Sequence, residues 1–209
     1  MTSRGYDRAK RALDLIFAVA LFVLTLPIQG VTALVIRIRL GSPVLFRQTR
    51  PGLHGEPFEI VKFRTMQSED LTLGCTDDAS RMTNLGRLLR STSLDELPTL
   101  RNIISGDMSL VGPRPLLMRY LPRYSPEQAR RHQVRPGLTG LAQVSGRNAL
   151  SWEAKFRLDV GYVDHHTLVG DLRILLATVT SVLRRDGVSA VGETTMSEFL
   201  GSSTDRETS

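Results

Sequence analysis

The sequence predicts an α+β, mostly helical chain: an N-terminal re-entrant membrane helix broken at Pro27, a small β-hairpin, and a helical domain with interfacial helices. Three observations carry that prediction. Ala12 to Ile36 is apolar for 25 residues, interrupted only by Asp14, Thr25, Gln29, Gly30 and Thr32. Two strand-like runs, Val44–Phe46 and Phe58–Phe63, flank the turn sequence Pro51-Gly52-Leu53-His54-Gly55. Beyond Asn84, apolar residues recur at helical spacing between start and stop signals. The chain divides into a membrane element over residues 1–40, a globular domain over 41–201 and a disordered tail over 202–209.

Pro27 leaves Ala12–Leu26 and Ile28–Ile36, about 22 Å and 14 Å long at the helical rise. Neither piece alone crosses a hydrocarbon core of about 30 Å. Arg4, Arg8, Lys10 and Arg11 precede the segment, and Arg37, Arg39, Arg47 and Arg50 follow it, with no acid between Asp14 and Glu56. Positive-inside bias places both clusters on the cytoplasmic side, which a helix that enters and returns satisfies. A Pro-kinked span and a buried core helix are the alternatives. No clear small-residue cleavage site marks the segment as a signal peptide.

The rest of the composition is that of a folded chain: 41% hydrophobic, 23% charged, net charge +6. The positive charge comes from 24 arginines and only three lysines, Lys10, Lys62 and Lys155. A guanidinium grips phosphate with two parallel hydrogen bonds, so the bias points to phosphorylated partners or anionic lipid. Nucleic acid is not expected, because aromatic content is 6% and no reading motif is present. The single cysteine, Cys75, excludes an internal disulfide.

Gln67 to Ser80 reads as a polar loop, and its acids Glu69, Asp70, Asp77 and Asp78 as solvated. Asn84–Arg90 is a short helix. Ser125-Pro126-Glu127-Gln128 opens another with a capping box and proline at N1. Gly137–Gly146 is a glycine-punctuated loop able to approach a ligand closely. Ser151–Tyr162 is a helix with Trp152 and Phe156 one turn apart. In Leu168–Leu183, residues Leu168, Leu172, Leu175, Leu176, Val179 and Leu183 form one stripe, suited to the core or to the membrane interface.

Ser91–Pro115 holds the candidate chemistry. Asp95 and Glu96 sit at a helix start, where the dipole favours ionised carboxylates. Ser93 with Glu96 fits a capping box, while Pro98 fits N1 of a later start. Adjacent helical residues point about 100° apart, so the two carboxylates would take different tasks. An ionised Asp can attack phosphorus, and Glu can hold Mg²⁺ against phosphate oxygens. Spacing alone favours a purely structural helix cap.

A set of blocks along the chain goes further. They are Lys10-Arg11-Ala12-Leu13-Asp14, Lys62-Phe63-Arg64-Thr65-Met66 and Thr92-Ser93-Leu94-Asp95-Glu96-Leu97-Pro98. Gly106 to Pro115, Arg135 to Gly140, Gly146-Arg147-Asn148, Leu158-Asp159 and Tyr162-Val163-Asp164 follow. Together they resemble the bacterial sugar transferases, specifically the small monotopic polyprenyl-phosphate phosphoglycosyl transferases. The resemblance implies transfer of a sugar-1-phosphate from a UDP-sugar to polyprenyl phosphate, with UMP released, on the cytoplasmic face of the bacterial inner membrane. It implies Asp95 as nucleophile, Glu96 with Asp95 at a Mg²⁺ site, and Arg90 at the prenyl phosphate. Lys62, Arg114, Arg147 and Asp159 become candidates for substrate contacts. A homodimer is left open. The family's pattern carries aromatics where this chain has Leu141, Gly161 and His166, and His165 and His166 read as exposed. A lipid-binding basic module and an ordinary glycosyltransferase, which would release UDP, are the rival readings.

Overall fold

The computed structural model describes residues 3–67, 78–146, 150–184 and 198–201. The expected disordered tail and most of the polar loop with Cys75 lie outside the described residues.

Helix α1 (Ser3–Arg39) is one element with Pro27 inside it, where the sequence led us to expect two pieces. Proline has no N–H and leaves a carbonyl one turn earlier without its donor. Polar side chains bridge this stretch: Thr25 Oγ1 donates to Leu21 O at 2.6 Å, and Gln29 Nε2 donates to Thr25 Oγ1 at 3.0 Å. Gly5–Arg39 is long and apolar enough to cross a membrane. One face of α1 is buried, through Asp14, Ala18, Gln29, Thr32 and Ile36, while Leu24, Val31 and Ile38 are more than 60% exposed.

Both ends of α1 dock on the globular domain. Arg11 donates to Ile103 O and Ile104 O, the carbonyl end of helix α4 (Leu100–Ser105). Asp14 accepts from Ser109 Oγ at 2.7 Å and Leu110 N at 3.2 Å. At the other end, Arg64 donates to the carbonyls of Leu40, Gly41 and Ser42. Ala18 joins a core with Ile60, Leu100 and Ile103, whereas Ile36 joins Phe63 and Leu89.

The hairpin forms as expected, β1 (Leu45–Pro51) antiparallel to β2 (Pro57–Phe63), in register from Leu45↔Phe63 to Pro51↔Pro57. Its tight turn takes His54 and Gly55 to positive φ. The free edge of β2 finds side-chain partners instead of a third strand. Asn102 Oδ1 accepts from Val61 N at 3.1 Å and its Nδ2 donates to Glu59 O at 2.8 Å; Thr99 Oγ1 donates to Val61 O at 2.8 Å.

Helix α2 (Asp78–Arg81) leads to α3 (Asn84–Ser91), capped by Thr83, whose hydroxyl accepts from Gly86 N. Gly86 packs directly on the strand exit, since a Cβ there would lie 1.9 Å from Thr65 O. A 3₁₀ turn over Leu94–Thr99 then runs into α4.

Gly137–Thr139, expected as loop, forms strand β4, parallel to β3 (Ser109–Val111). The expectation that these glycines admit a ligand is corrected: they admit backbone. A Cβ on Gly137 would lie 2.1 Å from Gly112 N, and one on Gly140 would lie 2.2 Å from Gly112 O.

Helix α5 (Pro126–Ala129) carries both hydrogen bonds of the expected capping box. Helices α6 (Leu141–Val144), α7 (Trp152–His165) and α8 (Leu168–Arg184) complete the described domain. In α8, the stripe residues Leu172, Leu176 and Val179 point outward, and Asp171 and Ile174 are buried instead. The reason is a polar network: Asp171 accepts from Tyr6 OH, Lys10 Nζ and Tyr162 OH, each at 2.8 Å. Satisfying that buried carboxylate fixes the rotation of α8. His165 is exposed, as expected, whereas His166 is half-buried against the rings of Tyr6 and Tyr162. Phe199 closes an aromatic cluster of Tyr120, Tyr124, Trp152 and Phe156.

Replacing Asn102 by Ala strips β2 of two partners and leaves buried Val61 N–H unsatisfied. A loss of about 2–4 kcal/mol is expected, readable as a lowered midpoint in thermal or denaturant unfolding. Gly30→Ala, with nothing within 4 Å of the added Cβ, is the expected near-neutral comparison.

Candidate active site

The 3₁₀ turn Leu94–Thr99 presents the two carboxylates. It begins at Ser93, whose φ of 56° lies in the left-handed region and whose hydroxyl makes no capping bond. The capping box read from Ser93 and Glu96 therefore does not form. A non-glycine residue held at positive φ is strained by roughly 1–3 kcal/mol, and such residues concentrate at functional sites.

Glu96 is engaged elsewhere. Its Oε1 accepts from Lys62 Nζ at 2.5 Å and from Arg114 Nη2 at 3.0 Å. Lys62 reaches it from β2, and Arg114 comes from the Pro113-Arg114-Pro115 segment beyond β3. Burial works against ionisation of Glu96, but the two cations outweigh it and hold the carboxyl at about 2. Burial pushes the Lys62 ammonium down, with Glu96 opposing.

Asp95 has the opposite character. It is 9% exposed, and no hydrogen bond or ion pair reaches its carboxylate among the described residues. Burial first, then the charge of Glu96, raises it to about 6, against the pull of Lys62, Arg114 and Arg90. The pair thus contains one carboxylate fixed as an anion and one that is buried, unpartnered and poised near neutrality. Groups pushed apart in this way mark sites of chemistry.

Arg90 stands at the last turn of α3, its Nε donating to Thr65 Oγ1 at 3.1 Å. Asp159 lies one layer back. It forms a buried ion pair with Arg131 at 2.7 Å, and Arg131 Nη2 also donates to Arg114 O at 2.7 Å. Asp159 therefore supports the backbone of Arg114 through Arg131. Arg147 lies outside the described residues. Arg131 was legible only as one of many arginines, since no spacing links it to Asp159, 28 residues on.

Among the described residues no three His, Cys, Asp or Glu side chains group as a metal cluster. Two carboxylates do adjoin: Asp95, and Glu96 with its Oε2 not used by either cation. That donor set suits Mg²⁺, which takes one or two carboxylates and completes its shell with phosphate oxygens and water.

With this geometry in hand, comparison with known proteins is informative. The family model described as bacterial sugar transferase matches residues 5–185. The uncharacterized sugar transferase EpsL of Bacillus subtilis (strain 168) is 53% identical over 194 residues, 92% of this chain and 96% of that protein. A UDP-glucose:undecaprenyl-phosphate glucose-1-phosphate transferase of Caulobacter vibrioides is 44% identical, covering 86% of this chain and 72% of that protein. The Escherichia coli protein of the same name is 35% identical over 81% of this chain, which spans only 39% of its length. The chain belongs to the bacterial sugar transferase family.

Because Asp95 titrates higher in the fold than in the unfolded chain, the native state binds the extra proton between about pH 4 and pH 6. Its ionisation therefore costs stability as pH rises through that window. Asp95→Asn removes the penalty and is expected to be about 1–3 kcal/mol more stable than the parent at pH 7. The gain should grow from pH 4 to pH 6 and level off above. Denaturant unfolding across that range checks both the sign and the window.

Proposed function

We propose that this chain is a polyprenyl-phosphate phosphoglycosyl transferase, moving a sugar-1-phosphate from a UDP-sugar to undecaprenyl phosphate. The contrast between Asp95 and Glu96 is the observation that carries this reading, and the names of the relatives agree with the substrate class. Ionised Asp95 attacks the sugar-bearing β-phosphorus, forming an acyl phosphate as the anhydride bond to the α-phosphate breaks. UMP leaves with the electron pair. An oxygen of the lipid phosphate then attacks the same phosphorus, the aspartyl oxygen departs, and a polyprenyl-diphosphate sugar results. No proton need be taken from the nucleophile, which only has to be ionised.

Lys62 and Arg114 hold Glu96 as an anion in place and supply positive charge beside the phosphoryl groups. Asp95 and Glu96 would hold Mg²⁺, which offsets phosphate charge when bound. Arg90, on the other side of Asp95 in sequence from Arg114, suits the lipid phosphate. Arg114 suits the donor, with Asp159 acting through Arg131.

The docking of α1 supports a re-entrant membrane element. Ala18 and Ile36 would lie about 27 Å apart on a straight helix. Yet they belong to cores built on Leu100 and Leu94, six residues apart, and on Ile60 and Phe63, three apart. A helix that bends back brings its ends to neighbouring points of one domain, with its apolar outer face in lipid on the cytoplasmic side of the inner membrane. Exopolysaccharide or related glycoconjugate assembly would use the product.

The decisive measurement is the nucleotide released when purified protein meets UDP-sugars, Mg²⁺ and undecaprenyl phosphate. UMP is expected; UDP would establish an ordinary glycosyltransferase. Asp95→Asn should lose at least 10³-fold in turnover, the scale of a missing nucleophile, and EDTA should stop the reaction. The rate should fall as pH drops through about 6, where Asp95 becomes protonated. Cysteines placed at both ends of α1 should label from the same side of sealed vesicles, whereas opposite sides would restore a spanning helix.

A further inference from the structure

The site as described uses four cations, and a fifth arginine near it has no counter-charge among the described residues. Arg50 lies on β1, immediately before Pro51, which is fully buried. Pro51 and Gly52 line one small cavity together with Pro113, Arg114 and Pro115. The end of β1 also packs on the 3₁₀ turn Met118–Arg123, which carries Arg119. The backbone at Arg50 thus runs beside the segment that delivers Arg114 to Glu96.

The acids that meet Arg114 and Arg119 are already paired. Glu96 Oε1 receives Lys62 and Arg114, and Glu198 receives Arg119 and Arg123 at 3.1 Å and 2.8 Å. Arg50 Nη2 meets an amide oxygen, Gln48 Oε1, at 2.5 Å, and it has no acidic partner among the described residues. Burial, followed by the charges of Arg114 and Arg119, brings its guanidinium down to about 10. A partly buried guanidinium whose charged neighbours are further arginines is poorly compensated in the empty protein, and an arriving anion relieves the repulsion.

We propose that Arg50, oriented by Gln48 and paired with Arg114, is a substrate-binding residue that forms a phosphate subsite for the transfer reaction. The inference rests on the proposed function and adds a residue to it. Through Pro51, the chain at Arg50 borders the Pro113–Pro115 side of the site, whereas Arg90 sits on α3 against Thr65. That side suits the nucleotide phosphate of the donor, which departs as UMP. The guanidinium would stabilise the leaving phosphate through two parallel hydrogen bonds, a geometry lysine does not reproduce.

The test uses the full chain in nanodiscs with Mg²⁺. UMP binding is titrated calorimetrically, and KM is measured separately for UDP-sugar and for undecaprenyl phosphate. Arg50→Gln and Arg50→Lys should each weaken UMP binding by at least tenfold and raise the donor KM by a similar factor. Gln48→Leu should show a smaller loss in the same direction. Arg101→Gln, which removes an exposed arginine on α4, should leave both unchanged. Unaltered UMP affinity with a raised acceptor KM would assign the subsite to the lipid phosphate. Unaltered UMP affinity and unaltered KM for both substrates, in an Arg50→Gln protein with parental thermal unfolding, would overturn the proposal. If the parent itself neither binds UMP nor releases it, the proposed function fails rather than the assignment of Arg50.

Discussion

The geometry of this protein depends on how the outer edge of β2 is satisfied. A two-stranded hairpin leaves one row of backbone donors and acceptors open, and such an edge is unstable when buried. Here Thr99 and Asn102 take the place of a third strand at Val61 and Glu59. Thr99 ends the 3₁₀ turn that carries the dyad, and Asn102 lies on α4 directly after it. Fastening them to β2 therefore fixes the distance between Lys62 and Glu96, and this contact in turn separates the behaviour of the two carboxylates. A clamp of neutral hydrogen bonds thus sets the electrostatics of the site.

The same economy appears where α1 meets the domain. Lys10, Arg11 and Asp14 occupy one turn of helix and reach Asp171, the carbonyl end of α4 and the start of β3. Arg64 gathers the carbonyls at the far end of the helix. Arg11, Asp14 and Arg64 meet backbone groups that would otherwise be buried unpaired, and Lys10 meets the buried Asp171 carboxylate. They hold an apolar helix against a domain whose candidate carboxylates, Asp95 and Glu96, lie on the adjoining 3₁₀ turn. Chemistry on a lipid phosphate needs that proximity, because the acceptor does not leave the bilayer.

Stability and chemistry oppose each other at Asp95. Burial without a partner raises the free energy of its ionised form, and the left-handed Ser93 just before it adds backbone strain. Glu96 sits one residue on and is compensated twice over. One carboxylate is paired with cations; the other is kept buried without a partner among the described residues, at some expense in stability. That division follows from which side chain of the pair meets β2.

Local sequence determined what local physics controls. The hairpin followed from strand runs around a glycine-containing turn, and α5 from its capping box. Helices α3, α7 and α8 followed from periodicity, and the membrane element from 25 apolar residues between basic flanks. Asp95, Glu96, Lys62, Arg90 and Arg114 were legible because the blocks around them match a family pattern; their spacing alone allowed a simple helix cap. What sequence left open depends on partners distant in the chain. Gly137 and Gly140 meet Gly112 rather than a ligand, Asp159 meets Arg131, and Asp171 is buried while Leu172, Leu176 and Val179 of the α8 stripe face outward. Pro27 stays within one helix, with Thr25 and Gln29 hydrogen-bonded to each other beside it. Helical periodicity says which residues share a face, but not what that face will meet. Only the packed structure chose the face, since buried charges and open backbone groups had to find partners across the fold.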